Sequence, residues 1–152
     1  PDNLALMQGL LKEVYRVKGA RNGERALAIA RAEPRPDLIL LDLMMPDMDG
    51  FDVCRQLKAN PHTAGIPVII LTGTNDERDE ALALELGAAD FLTRPIRPRA
   101  LHARIRTQLA LRRSIAGLHQ QIASLKGEIH RATRDLEGVR AEHRELKAAA
   151  RS

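Results

Sequence analysis

The sequence is poor in the residues that form disulfide frameworks, aromatic cores and membrane spans. It contains one cysteine, Cys54, and three aromatic residues, Tyr15, Phe51 and Phe91. A single cysteine excludes a disulfide framework and a cysteine-based zinc site, and it suits a reducing compartment such as the cytoplasm. No apolar run approaches the roughly 20 residues of a membrane-spanning helix. From the first residues we expect no signal peptide. Leucine, isoleucine, valine and alanine must therefore fill the core.

Charge is distributed unequally along the 152 residues, whose net charge is +4. Residues 1–96 hold 11 basic against 15 acidic side chains, a net charge of −4. Residues 97–152 hold 13 basic against 5 acidic side chains, a net charge of +8. The composition therefore predicts two differently built segments, an α/β core over residues 1–97 and a long helix over residues 98–152.

The first segment alternates short apolar runs with stretches of helical period. The runs predict strands at Asp37–Asp42, Pro67–Thr72 and Asp90–Thr93, with a weaker strand at Val14–Lys18. Helices are predicted over Leu4–Glu13, Glu24–Ala32, Phe51–Asn60 and Asp79–Leu86. Because continuous apolar runs are typical of strands buried on both faces, this alternation predicts a doubly wound parallel sheet. With the long last helix, the expected count is four strands and five helices.

From Pro98 onward the pattern predicts one long helix, which from Leu111 onward carries a heptad repeat without a slip. Its seam comprises Leu111, Ile115, Leu118, Ile122, Leu125, Ile129, Leu136, Val139 and Leu146, together with Ala132 and the polar His143. In the heptad abcdefg, positions a and d form the seam. Isoleucine at position a with leucine at position d favours a parallel two-stranded coiled coil. Opposite charges at Asp135 and Arg140, and at Glu142 and Lys147, fit parallel chains in register. The alternative is a single helix that folds back on the first segment.

Three predicted strands each lead into a polar residue: Asp42, Thr72, and Arg94 just past the last strand. In open α/β sheets the site lies beyond the carboxyl ends of the strands, so these side chains should converge. A carboxylate nucleophile beside a hydroxyl and a guanidinium forms a plausible site for phosphoryl transfer. Taken singly, the three residues also suit ordinary roles as a loop or cap residue, a strand end and a surface charge.

Together these residues lie in three ordered motifs. The segments are DLMMPDMDG at Asp42–Gly50, VIILTG at Val68–Gly73 and ADFLTRP at Ala89–Pro95. They resemble the signatures of bacterial response regulator receiver domains, a resemblance that covers about residues 1–110 and implies a flavodoxin-like fold. It implies that Asp42 accepts the phosphoryl group and that the Met44 carbonyl contributes to Mg²⁺. It also implies that Thr72 contacts the phosphoryl group, that Phe91 switches with Thr72, and that the peptide bond before Pro95 is cis.

Arg94 departs from the family, which has lysine at this position. Arginine is planar and forked, so the exchange is not neutral at a crowded phosphate site. Arg94 could bind phosphate through two hydrogen bonds, or it could pair with Asp42 and hold an inactive-like state.

The second departure concerns the metal. The resemblance places an acidic pair for Mg²⁺ at the end of a first strand, upstream of the segment matching Pro1–Asn3, and this sequence contains neither. Mg²⁺ usually binds one or two carboxylates, so we expect its binding to be weakened or absent. We interpret Asp2 as a helix cap, and Asp47 and Asp49 as loop and cap residues. The chain is expected to be a truncated form of a longer receiver that lacks a central strand. Two copies of the chain could fill the place of this strand by strand pairing or swapping.

The resemblance implies phosphorelay signalling, with a sensor histidine kinase or a phosphotransfer protein as donor and a homodimer as the output form. The segment Pro95–Leu111 resembles the link in receivers that precede HD-GYP, GGDEF or kinase-like modules, so the chain itself is expected not to be an enzyme. No helix-turn-helix can be placed, and the arginines of the tail lie largely off the seam, which favours a solvated face over nucleic-acid binding. The alternative function is a dimerisation or scaffold module that accepts no phosphate.

Overall fold

The computed structural model describes residues 3–73 and 76–152. Its elements run in the order α1 (Asn3–Leu11), α2 (Gly23–Arg31), β1 (Ile39–Asp42), α3 (Gly50–Ala59), β2 (Val68–Thr72), α4 (Glu77–Glu85), β3 (Asp90–Thr93) and α5 (Pro98–Ala149). Strands and helices alternate from β1 onward, which confirms the predicted α/β class. Their bounds differ from the predicted bounds by three residues at most.

The described strands form a parallel sheet in the order β1-β2-β3. Ile39 of β1 pairs with Val68, and Ile69 of β2 pairs with Asp90. All five residues of β2 are buried, because this central strand is covered on both faces. Side chains alternate across a strand, so Val68 and Ile70 enter one apolar cluster while Ile69 and Leu71 enter the other.

Helices cover both faces of the sheet. One cluster joins β1 and β2 to α2, α3 and α4, through the buried side chains of Leu27, Ala30, Leu41, Val53, Cys54, Leu57 and Ala83. The other cluster joins β2 to α1 and to the first turns of α5, through Met7, Leu11, Leu101 and Ile105. The sheet therefore lies between two helical layers, as the continuous apolar runs predicted.

The predicted strand at Val14–Lys18 is wrong. Residues 16–20 have no regular structure, and the described chain has three strands rather than four. A strand needs a neighbour that satisfies its N–H and C=O groups, and no described strand pairs with this segment. Instead, the half-buried side chains of Tyr15 and Val17 pack against the cluster that contains Met7 and Leu101. Their alternating burial explains why the segment looked strand-like.

The chain divides into two units, Pro1–Ala110 and Leu111–Ser152. The first extends past Pro98 because Leu101 and Ile105 of α5 are buried in it. The second is helical up to Ala149, and its large apolar side chains are between 47% and 70% exposed. Among the described residues, no helix combines the length and hydrophobicity needed to cross a bilayer.

Candidate functional site

The predicted site residues meet at one edge of the sheet. Asp42 is the last residue of β1, Thr72 is the last residue of β2, and Arg94 directly follows β3. The parallel register aligns these ends, since Asp42 lies opposite Leu71 and the Arg94 N–H donates to the Thr72 carbonyl at 2.9 Å. The carboxyl ends of the strands thus place a carboxylate-bearing, a hydroxyl-bearing and a guanidinium-bearing residue at one edge of the sheet.

Both carboxylate oxygens of Asp42 have partners. Oδ1 accepts from the N–H of Met44 at 3.0 Å, and Oδ2 is paired with Nη2 of Arg94. The two charged side chains are mostly buried, with exposures of 21% for Asp42 and 28% for Arg94. Of the two roles predicted for Arg94, this structure shows the ion pair with Asp42. Because a guanidinium stays protonated, Arg94 holds a fixed positive charge next to the Asp42 carboxylate, the candidate nucleophile.

Arg94 has a second partner that the sequence reasoning missed. The side-chain amide of Asn3, at the start of α1, lies against its guanidinium. With the amide oxygen facing arginine, that oxygen accepts from Nη1 at 2.8 Å and from Nη2 at 3.1 Å. No sequence signal links these residues, because 90 positions separate them and only the packing of α1 brings them together.

The remaining predicted residues differ in how far they are exposed to solvent. Thr72 is 3% exposed and Phe91 is half-buried, packed against the cluster that contains Ile70. The Met44 side chain is 78% exposed, next to the site on the loop after β1. The Arg94–Pro95 peptide bond is cis. Asp2 lies outside the described residues.

The loop between β1 and α3 brings the helix start close to the phosphoacceptor candidate. A Cβ at Gly50 would lie 2.7 Å from both the Asp42 carbonyl oxygen and the Leu43 Cα, so only glycine allows this approach. Asp49 caps α3 by accepting from the Phe51 N–H at 3.0 Å, as its position predicted. Asp47 has a φ of 73°, the left-handed conformation that aspartate tolerates in loops.

Cys54 belongs to the core behind this loop and not to the site. It is fully buried on α3, where burial raises the pKa of its thiol and so disfavours the reactive thiolate. One turn later, burial lowers the pKa of Lys58, whose Nζ donates to the carbonyls of Ala64 and Ile66. Both residues are explained by packing.

The described residues offer few side-chain ligands for a divalent cation. Within residues 3–73 and 76–152, no group of three or more histidine, cysteine or acidic side chains could hold a metal ion. The site offers the Asp42 carboxylate, which is already paired with Arg94, and the nearby main-chain carbonyls. Mg²⁺ prefers six oxygen ligands in near-octahedral geometry, of which these groups supply only a part.

A family model described as the response regulator receiver domain matches residues 1–106 of the chain. The chain belongs to the response regulator receiver family. The three strand-end residues, Asp42, Thr72 and Arg94, all lie inside the match. The receiver fold therefore accounts for the first unit, and the match ends within α5, before the exposed seam begins.

Curated relatives extend the similarity beyond the receiver core. A probable cyclic di-GMP phosphodiesterase of Vibrio cholerae is 44% identical over 137 residues, which cover 90% of this chain and 31% of the relative. Response regulator PleD of Caulobacter vibrioides is 44% identical over 140 residues, again covering 90% and 31%. The chain thus spans about a third of the length of these relatives.

Solved receiver domains share the architecture. The signal receiver domain of a histidine kinase from Syntrophus aciditrophicus superposes with a TM-score of 0.65 at 39% identity, covering 72% of this receiver chain and 83% of that one. The receiver domain of the sensor histidine kinase PA1611 from Pseudomonas aeruginosa has a TM-score of 0.66 at 27% identity, with coverages of 72% and 90%. That structure holds a magnesium ion coordinated in its active-site cleft.

Proposed function

We propose that this receiver accepts a phosphoryl group on Asp42 from a sensor histidine kinase or a phosphotransfer protein. The observation that carries the proposal is the pairing of Asp42 with Arg94 at the sheet edge where Thr72 also ends. A mostly buried carboxylate that is paired with a cation, at an edge where a threonine also ends a strand, is suited to attack phosphorus and then to be stabilised as an anionic product.

The transfer forms one bond and breaks one. A carboxylate oxygen of Asp42 attacks the phosphorus of a phosphohistidine, the P–N bond breaks, and the imidazole leaves with its electron pair and takes up a proton. The product is an acyl phosphate on Asp42. Arg94 then exchanges its contact with the carboxylate for contacts with phosphoryl oxygens, which match the planar fork of a guanidinium. The Thr72 hydroxyl donates to another phosphoryl oxygen, and Phe91 repacks as Thr72 moves.

Magnesium is the expected cofactor by analogy with the family. When bound, it neutralises charge on the transferring phosphoryl group. In this proposal Asp42 and the Met44 carbonyl contribute to the metal, and Arg94 supplies part of the neutralisation through its own charge. Because the described donor set is small, we propose that Mg²⁺ binds weakly to this chain.

Incubation with a small phosphodonor and Mg²⁺, followed by intact mass spectrometry, tests the proposal. The wild-type chain should gain the mass of one phosphoryl group, and Asp42→Asn should gain none. Asp47→Asn is the matched control, because it removes a loop carboxylate at a left-handed position where asparagine is equally tolerated. Gain in Asp42→Asn but not in Asp47→Asn would place the acceptor at Asp47 and overturn the assignment.

The second candidate function is a dimerisation or scaffold module that accepts no phosphate. The same ion pair supports it, because Arg94 occupies one oxygen of Asp42 while the described residues offer few metal ligands. The phosphodonor experiment separates the two functions. If the wild-type chain gains no phosphoryl group at any Mg²⁺ concentration while it remains folded and dimeric, the scaffold function is correct.

We further propose that the second unit forms a parallel coiled-coil homodimer. Nine large apolar side chains on this unit are between 47% and 70% exposed: Leu111, Ile115, Leu118, Ile122, Leu125, Ile129, Leu136, Val139 and Leu146. A row of this regularity, with a and d positions spaced alternately by three and four, fits a second copy of the same helix. The homodimer would carry the signal to an output module, and the V. cholerae relative, a probable cyclic di-GMP phosphodiesterase, supports an enzymatic output.

The charges beside the seam support the parallel orientation. Charged residues at g are all acidic: Glu128, Asp135 and Glu142. Charged residues at e are all basic: Arg112, Lys126, Arg140 and Lys147. Parallel helices place g opposite e of the partner, whereas antiparallel helices place like positions together. The parallel arrangement therefore places Asp135 opposite Arg140 and Glu142 opposite Lys147 of the second copy, whereas the antiparallel arrangement brings like charges together.

Cysteine cross-linking tests this orientation. In a parallel, in-register dimer, Leu118→Cys places two thiols at facing d positions, and mild oxidation should join most of the chains. Ser124→Cys is the matched control at an outward c position, and the native Cys54 is buried and should not react. An antiparallel dimer would leave Leu118→Cys uncross-linked at concentrations where sedimentation shows a dimer.

A further inference from the structure

The guanidinium of Arg94 bridges two side chains from distant parts of the receiver unit. Its Nη2 pairs with Oδ2 of Asp42, while the amide oxygen of Asn3 accepts from both Nη1 and Nη2. Asn3 begins α1, Asp42 ends β1, and Arg94 follows β3. The bridge therefore ties the first helix to the candidate phosphorylation site through one cation.

The orientation of the Asn3 amide follows from its partner. Arginine has five N–H donors and no acceptor, so the amide group that faces it must be the oxygen. This oxygen is neutral and takes hydrogen bonds from both terminal nitrogens, at 2.8 and 3.1 Å. Asn3 thereby fixes the plane of the guanidinium without competing with Asp42 for its charge.

A lysine at position 94 would not need such support, but arginine does. An ammonium is a compact charge that can donate in any direction, whereas a guanidinium donates only within its plane. A guanidinium rotated out of the plane that faces Asp42 would present its face to the phosphoryl oxygens and make no hydrogen bond. The side chain that sets this plane therefore affects how well Arg94 can serve the phosphoryl group.

We propose that Asn3 is a positioning residue for phosphoryl transfer, which aims the guanidinium of Arg94 at Asp42 by holding both of its terminal nitrogens. The inference rests on the proposed role of Asp42 as phosphoacceptor. Asn3 itself does not touch the phosphoryl group. A carboxylate at position 3 would instead compete with Asp42 and with phosphate for the same cation.

The rate of phosphorylation by a small phosphodonor measures this role. Asn3→Ala should lower the second-order rate constant roughly three- to tenfold, the effect of losing a hydrogen bond to a charged group at a partly exposed position. Asn3→Asp should lower it as well, because the new carboxylate draws Arg94 away. Leu6→Ala is the matched control on α1, since its side chain is 56% exposed and it should leave the rate unchanged.

A double-mutant cycle separates positioning from a structural role. In an Arg94→Lys background there is no planar fork to orient, so Asn3→Ala should change the rate by less than about twofold. An Asn3→Ala effect of equal size in both backgrounds would overturn the proposal, as would a wild-type rate in Asn3→Ala alone. Circular dichroism of each variant confirms that it is folded. A wild-type chain that gains no phosphoryl group contradicts the proposed function itself, which is a different result from a phosphorylated wild type with an unaffected Asn3 variant.

Discussion

The two units of this chain differ in whether their large apolar side chains are buried or exposed. In the receiver unit, Ile69 and Ile70 of β2 are fully buried between two layers of helices. In the second unit, Ile115 and Ile122 are 47% and 49% exposed on a helix whose described residues leave them uncovered. Burial of apolar surface stabilises a fold by about 25 cal/mol per Å². The first unit therefore gains this free energy within one chain, whereas the second needs a partner to gain it.

This contrast gives the two units different responses to concentration. A core filled by its own chain has a stability independent of protein concentration, whereas a coiled coil between copies becomes more stable as concentration rises. The difference also separates their expected tasks. Under the proposed function, the receiver unit responds to phosphorylation in any assembly, and the helix reports whether two receivers are together.

The largest expected effect follows from a charge placed in the seam. Ile122→Asp places the carboxylates of the two copies opposite each other in an apolar interface. We therefore expect the dimer dissociation constant to rise by about a thousandfold, roughly 4 kcal/mol. Sedimentation equilibrium measures this change, and the thermal unfolding of the receiver unit should stay the same. Ser124→Asp, at an outward position two residues away, is the control and should leave the dimer intact. A dimer that survives Ile122→Asp would show that another surface holds the copies together.

A core truncation should act on the other unit alone. Ile70→Ala removes a fully buried side chain from the central strand and should destabilise the receiver unit by about 3 kcal/mol. Denaturant unfolding measures the loss, which should be the same at low and high protein concentration. Leu84→Ala is the control, because that side chain is 52% exposed on α4. A concentration-dependent loss for Ile70→Ala would mean that the receiver also depends on its partner.

Much of the receiver unit could be predicted from sequence because its strands are continuous apolar runs. Such runs specify both burial and period, so β1, β2 and β3 were located within two residues. The convergence of Asp42, Thr72 and Arg94 followed from parallel topology, which aligns strand ends. The Val14–Lys18 strand failed because strand formation depends on a neighbour, which local sequence does not encode.

The parts of the site that sequence did not reveal are long-range or geometric. Asn3 reaches Arg94 only through the packing of α1 against β2 and α5. Sequence alone does not determine whether Arg94 binds phosphate or Asp42, since both are anions that a guanidinium can bind. The requirement for Gly50 comes from a close approach of two backbone segments, in which an added Cβ would lie 2.7 Å from main-chain atoms. From its position in the loop, sequence suggested only a turn.

Gly50→Ala should have an intermediate effect that is confined to the site. The added Cβ meets the Asp42 carbonyl oxygen and the Leu43 Cα, both main-chain atoms that cannot swing aside. We expect a destabilisation of about 1–3 kcal/mol and a slower phosphorylation of Asp42, because β1 and α3 must move apart. Unfolding and phosphodonor kinetics measure the two effects. Gly65→Ala is the control, since a Cβ there has no neighbour within 4 Å. Equal behaviour of the two variants would contradict the close approach.

The smallest expected effect is a gain in stability, from a glycine-to-alanine substitution in the second unit. A Cβ at Gly127 meets no atom within 4 Å, and in the heptad frame this residue lies at the outward f position. Gly127→Ala should therefore stabilise the helix by about 1 kcal/mol per chain, the difference in helix propensity between the two residues. Circular dichroism at 222 nm during heating measures the shift, with Ser124→Ala as a non-glycine control nearby. The same substitution is then harmful at Gly50 and favourable at Gly127, because one glycine separates two packed backbones and the other faces solvent. Destabilisation by Gly127→Ala would mean that a partner covers the outer face of the helix as well as its seam, and the helix would then belong to an assembly larger than a dimer.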